Sequence, residues 1–181
     1  MKHRRARKQI PPPEIDSCLV LKYAFVEKPV RYVGRNHLFV IDPETGESSE
    51  VGAVPRLAIV QPLRRSREYL LLHCDRAWRS VGTHSGFKSV AEAAARAERS
   101  YPGVAKLWRS RGVSKKVALA YERKLWKDSE CSFCGRIPPE IGTREGVAFI
   151  QSKSGNASIC RPCIEECFEL IQPEMPQSNS G

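Results

Sequence analysis

Of the seven cysteines in the chain, Cys131, Cys134, Cys160, Cys163 and Cys167 fall within 37 residues, in CSFCGR (131–136) and ICRPCIEEC (159–167). Two Cys-x-x-Cys pairs stand 25 residues apart. Paired thiols of this kind can be reduced and oxidised, can form disulfides, or can hold a metal. A charged N-terminus with no apolar stretch behind it is not a secretory leader, so a cytoplasmic location is expected, where thiols stay reduced and disulfides are rare. A redox pair needs only one Cys-x-x-Cys, whereas two pairs at this distance match a closed tetrahedral zinc site. The expected ligands are Cys131, Cys134, Cys160 and Cys163 around one structural Zn²⁺. Cys167, one helical turn beyond Cys163, is expected to be a buried thiol packing beneath the metal.

The two pairs call for different supports. Gly135 follows Cys134, where a tight knuckle needs positive φ or close backbone approach. Pro162 suits the first turn of a helix, and Ile164, Cys167, Phe168 and Ile171 recur at helical spacing after it. Between the pairs, GVAFIQS (146–152) reads as a strand, Ser154-Gly155-Asn156 as a turn and Ala157-Ser158-Ile159 as the return strand. A knuckle, a hairpin and a helix that begins at the second ligand pair make a treble-clef finger. So small a unit cannot bury enough apolar area to fold alone, so metal binding would supply its folding energy.

The rest of the chain predicts an α+β fold. Residues 1–16 read as a basic disordered tail, 17–108 as a small α+β domain, 109–128 as a basic linker helix, 129–172 as the zinc domain and 173–181 as a second disordered tail. CLVLKYAFV (18–26), HLFVIDPETGE (37–47), LAIVQP (57–62) and EYLLLHCD (68–75) are strand candidates. The second of these ends in a turn, and the near-continuous apolar runs suit buried strands. Ser89 with Glu92 reads as a capping box opening a helix with Val90, Ala93, Ala94 and Ala97 on one face, stopped by Pro102-Gly103. His73 and Cys74 are neighbours on a strand and must point to opposite faces, so they cannot share a metal. Trp78 reads as a core anchor, and His84 in GTHSG (82–86) as part of a turn. In the linker helix, Val117, Tyr121 and Leu125 form an apolar stripe.

The net charge is +10, and residues 131–181 hold four Lys/Arg against six Glu, leaving +12 on residues 1–130. A basic body attracts polyanions. Arg4, Arg5 and Arg7 in the tail and Lys115, Lys116, Arg123 and Lys124 in the helix are the nucleic-acid candidates, with solvated charge as the alternative. No apolar run approaches a membrane span.

CSFCGR and ICRPCIEECFELI together resemble the N-terminal zinc-binding domain of the bacterial ClpX unfoldase family. The match runs through Phe133, Gly135, Ile159, Ile164 and the extra Cys167, and covers residues 129–172. The resemblance implies a zinc-bound treble clef, held by Cys131, Cys134, Cys160 and Cys163, that dimerises and binds unfolded or adaptor polypeptides. Phe133, Ile137, Ile141 and Phe149 are the expected exposed contact residues. The chain has no Gly-x-x-x-x-Gly-Lys-Ser/Thr loop, so no ATPase is implied. The stretch 69–108 also has a cadence that resembles small bacterial domains, some of them immunity-type.

A catalytic zinc keeps a position open for water, which four cysteines would close, and neither a His-Glu-x-x-His nor a Gly-x-Ser-x-Gly motif occurs. The sequence therefore predicts a non-catalytic zinc module that contacts protein, with a nucleic-acid-binding protein or an immunity-type protein as the alternatives.

Overall fold

The structure, a computed structural model, describes residues 10–27, 30–41, 44–64, 67–141, 149–155 and 157–171. Two compact units divide between Glu122 and Arg123. Among the described residues, no helix is long and apolar enough to cross a membrane.

The first unit is built on a six-stranded antiparallel sheet. Strands β1 (Glu14–Ile15) and β2 (Cys18–Phe25) form a hairpin whose two turn residues, Asp16 and Ser17, both have positive φ. That backbone twist matches the twist of the flanking strands. The Glu14 carboxylate accepts the Ser17 N–H and fixes the turn. A short hairpin of β3 (Phe39–Ile41) and β4 (Ser48–Glu50) stands apart from the sheet. It answers the turn signal in 37–47, with β4 as a return strand that the sequence did not announce. Next come β5 (Arg56–Pro62), β6 (Tyr69–Cys74) and β7 (Ser80–Phe87), giving the order β1-β2-β5-β6-β7. Strand β8 (Arg109–Ser110) pairs with β2 at Lys22 and Tyr23.

The register explains the apolar runs. Ala24 lies across from Leu57 and Ile59 from Leu71 on one face, while Ala58↔Leu72 and Val60↔Leu70 face the other way. Both faces are covered, so the central strands have no need of alternating polar residues. On the first face Leu57, Ile59 and Leu71 are fully buried against Ala93, Ala97, Tyr101 and Val104. Burial of each large side chain contributes roughly 1.5–3 kcal/mol. On the second face Val20, Tyr23, Phe25, Leu72, Cys74 and Trp78 form a separate cluster.

Helix α1 (Val90–Ser100) covers the first face. Ser89 Oγ accepts the Glu92 N–H at 3.1 Å, as the capping signal requires. The Glu92 carboxylate reaches back to the Lys88 N–H at 2.7 Å rather than to that of Ser89. The buried stripe is small (Ala93, Ala97, Ser100), which lets the helix sit close to the sheet.

Three expectations need correction here. GTHSG (82–86) is not a turn but the middle of β7. Its Gly and Ser residues have poor strand propensity, yet pairing with β6 overrides that. A Cβ at Gly82 would stand 3.1 Å from Leu38 Cδ1 and 3.3 Å from Val51 Cγ2, so any side chain there would push those two aside by a few tenths of an ångström. The described part of the proposed tail is not disordered. Glu14 and Ile15 are strand, the Pro13 carbonyl accepts the Val20 N–H at 3.1 Å and the Pro11 carbonyl accepts Arg111 Nε at 2.8 Å. The basic helix, α2 (Lys115–Leu125), is shorter than 109–128 and turns a different face inward. Ala118 and Glu122 are buried, whereas Val117 and Leu125 are exposed. Glu122 can be buried because Arg64 meets its carboxylate with both terminal nitrogens.

The second unit continues from α2 through a 3₁₀ turn (Lys127–Ser129) to a one-turn helix α3 (Pro138–Ile141). The antiparallel pair β9 (Phe149–Gln151) and β10 (Ser158–Cys160) follows, and then helix α4 (Arg161–Ile171).

Candidate metal centre

Cys131 opens a tight knuckle. Its carbonyl accepts the Gly135 N–H at 2.8 Å, and its own N–H donates to the Arg136 carbonyl at 2.8 Å. Gly135 has φ 67°, a left-handed conformation that a side chain would strain. The knuckle is tied to β10 on its other side. The Ser132 N–H donates to the Ser158 carbonyl at 2.8 Å, the Ser158 N–H to Ser132 Oγ at 3.0 Å and Ser158 Oγ to the Glu130 carbonyl. Cys160 is the last residue of β10, and Cys163 lies in the first turn of α4, where Pro162 has no N–H to leave unpaired.

These elements bring the four expected thiols together, with the four sulfurs within 4.8 Å of one another. Cys131 Sγ lies 3.9 Å from Cys163 Sγ, and Cys134 Sγ lies 3.7 Å from Cys160 Sγ. A regular tetrahedron with metal–sulfur bonds of about 2.3 Å has edges of about 3.8 Å. The group therefore has the size of a four-thiolate metal site, and it can hold a metal ion. Cys131, Cys160 and Cys163 are buried and Cys134 is exposed at the rim. Ile141, Phe149 and Ile159 pack around them.

The sulfurs differ in acidity. Burial works against ionising Cys131, but the N–H groups of Cys134, Cys160 and Phe133 point at its sulfur and bring it down to about 6. The Cys160 N–H lies 3.3 Å from that sulfur. Burial first, and then the neighbouring sulfurs, hold Cys163 well above the usual thiol range. Burial raises Cys160 as well. A single thiolate is thus easily formed, while the crowded set gives up all its protons only to a cation in its middle. Four thiolates leave no position open for water.

The remaining cysteines take no part. Burial pushes Cys18 and Cys74 up to about 12, as expected of inert core thiols. Cys74 lies in the cluster on the second sheet face, and His73 is buried on the opposite face beside Tyr101. Cys167 lies outside the group of four and is half-buried, not the fully buried thiol expected beneath the metal.

Of the expected contact residues, Phe133 is 70% exposed, between two ligands of the knuckle. Ile137 is a correction, because it is completely buried. The knuckle folds back immediately before it, and its N–H donates to the Glu140 carboxylate at 3.1 Å. Ile141 and Phe149 are half-buried against the cysteines. Apolar exposure falls instead on Ile150, Phe168, Leu170 and Ile171. Phe168 and Ile171, which recur at helical spacing after Pro162, therefore lie at the surface of α4. Among the nucleic-acid candidates, Lys115, Lys116, Arg123 and Lys124 are all exposed on α2, with Arg123 held by Glu140 at 2.8 Å. Arg4, Arg5 and Arg7 lie outside the described residues.

The first unit holds groups that sequence patterns did not mark. His73 is fully buried beside His84, ring centroids 5.4 Å apart, and neither His73 nitrogen has a hydrogen-bond partner among the described residues. Trp78 is the core anchor expected, packed on Tyr23 and Phe25, but it sits at φ 66° in a turn closed by Asp75. The run Asp75-Arg76 directly after a strand was the only signal available for that turn.

Comparison with known proteins gives no matching family model, no matching curated protein and no matching solved structure.

Proposed function

We propose that the chain is a non-catalytic zinc protein whose second unit is a treble-clef finger of the ClpX type, with Cys131, Cys134, Cys160 and Cys163 on one structural Zn²⁺. The metal holds together a surface for another polypeptide, either a second copy of the chain or an unfolded or adaptor segment. The observation that carries this reading is the tetrahedral spacing of four sulfurs in a unit that leaves Phe133, Ile150, Phe168, Leu170 and Ile171 exposed. So many apolar side chains on so small a unit favour a covering partner. A cleft of about 360 Å³ lined by Trp126, Pro138 and Phe149 offers a pocket for one inserted side chain. The test uses the zinc-loaded full chain, with light scattering over a concentration series and binding to a reduced, carboxymethylated protein that cannot fold. Self-association or binding that Phe133→Asp with Phe168→Asp abolishes is expected. A monomer that ignores the unfolded protein would sink the reading.

A second reading, nucleic-acid binding, has one observation in its favour. Helix α2 begins with Lys115 and Lys116 and has no acidic residue in its first turn. Cations there add to the positive end of the helix dipole, an arrangement that an anion would relieve. Gel shifts that weaken steeply with salt and are lost in Lys115→Glu with Lys116→Glu support it, and salt-insensitive or absent shifts remove it.

A further inference from the structure

The first unit contains a cleft of about 670 Å³, within the usual range for small-molecule sites. Four chain segments meet there, around residues 26–27 with 30–32, 53–55, 75–79 and Tyr101, and hydrogen bonds tie them. The Val26 N–H donates to the Pro55 carbonyl at 2.9 Å, and the Val54 N–H to Tyr101 Oη at 2.9 Å. The turn 75–79 is closed by one side chain. Asp75 Oδ1 accepts the N–H groups of Ala77 at 2.7 Å and Arg79 at 3.0 Å, while Oδ2 accepts Arg79 Nε at 2.7 Å. The cleft is thus formed in advance, lined by the buried Val26, Val54 and Tyr101, with the Tyr32 ring tilted 38° against Tyr101 at 5.3 Å between centroids.

The mouth is charged in a particular way. Arg76 and Arg79 line the cleft and are highly exposed. Each is oriented through Nε alone, Arg76 to Glu27 Oε1 at 2.6 Å and Arg79 to Asp75 Oδ2. Among the described residues neither uses its terminal Nη pair for a hydrogen bond. A guanidinium held by its side edge keeps its end-on fork for a second carboxylate. The turn that carries both arginines also holds Trp78 at φ 66°, a conformation a bulky residue adopts only under constraint and one that gathers at binding sites.

We propose that this cleft binds a small ligand with an apolar body and a carboxylate end. The body lies on Val26, Val54 and the two tyrosines, and the carboxylate is taken by the end-on fork of Arg76, with Arg79 beside it.

The test is an NMR titration of the ¹⁵N-labelled full chain with 2-naphthoate and with 2-naphthylmethanol, its neutral counterpart. Saturable shifts with 2-naphthoate are expected for amides of residues 26–27, 30–32, 53–54 and 75–79. The neutral probe and the Arg76→Ala variant should each bind about tenfold more weakly or worse, the usual scale of a lost charge-assisted pair. Ala53→Trp, which fills the cleft from an exposed position, should abolish binding of both probes without touching the core. Equal binding of the two probes, indifference to Arg76→Ala, shifts centred on the exposed apolar residues of the second unit, or no saturable shift at all would each overturn the proposal.

Discussion

His73 makes the stability of the first unit sensitive to acid. The side chain is 0% exposed, and both ring nitrogens lack partners among the described residues. Burial foremost, with His84 and Arg96 adding positive charge, lowers its pKa from 6.5 to about 3. The groups facing it are His84 from β7, Arg96 from α1 and the neutral Tyr101 at the helix end, so no carboxylate compensates a proton there. The sign follows from linkage. Below pH 6.5 the unfolded chain binds a proton at His73 that the folded chain refuses, so stability falls as pH falls, and it continues to fall until the folded pKa is reached. Each pH unit inside that window costs about 1.4 kcal/mol, and between pH 7 and pH 5 the loss is about 2 kcal/mol. His84, lowered to about 4 by burial and then by Arg96, adds in the same direction, less strongly because it is partly exposed.

The assay is urea unfolding at pH 7 and pH 5, for the wild-type chain and for His73→Phe. Both arms contain a chelator, so metal release from the second unit contributes to neither. The wild type should lose about 2 kcal/mol more than the variant between the two pH values, whatever the variant's absolute stability. Parallel losses would refute the reasoning, because they would mean that His73 is hydrated or paired in the folded chain.

Four further outcomes are expected. Cys131→Ser, or removal of metal by a chelator, should unfold the second unit while the first keeps its circular-dichroism signal, since structural zinc supplies on the order of 10 kcal/mol of folding energy; Cys167→Ser should keep one bound metal per chain by mass spectrometry. Arg64→Ala leaves the fully buried Glu122 carboxylate without its bidentate partner and should cost about 3–5 kcal/mol in urea unfolding, and Arg64→Ala with Glu122→Leu should recover much of that loss. Trp78→Ala removes a ring packed edge-on against Tyr23 and Phe25 and should cost about 3–5 kcal/mol, and because alanine keeps a Cβ at positive φ, Trp78→Gly should cost less.

The parts of the fold legible in the sequence are those with local causes. The capping residue Ser89 and the stop at Pro102-Gly103 bound α1, and the uninterrupted apolar runs of β5 and β6 signal buried strands. What escaped has a distant cause. Strand β7 is made of residues that favour turns and exists because β6 pairs with it. The inner face of α2 is Ala118 and Glu122 because Arg64, 58 residues away, neutralises the acid, and helical periodicity carries no trace of such a partner. The hydrogen bonds of Pro11 and Pro13 likewise run to Arg111 and Val20, so the end of the tail could not be placed by composition.

The metal centre was far more legible than the surface around it, and the reason is chemical. A thiolate site is specified by residue type, and the Cys-x-x-Cys turn brings its two sulfurs to one side with almost no help from the rest of the chain. Which apolar neighbours face water depends instead on how the short elements close over the ligands. Ile137 and Phe133 lie four residues apart around one knuckle. The Ile137 N–H donates to the Glu140 carboxylate and its side chain is fully buried, while the left-handed Gly135 between the two residues reverses the chain and Phe133 lies outside. The reversal at Gly135 thus lies between one apolar side chain in the core and another at the surface. For that reason a substitution at Phe133 is expected to spare folding, whereas one at Ile137 is expected to disturb it.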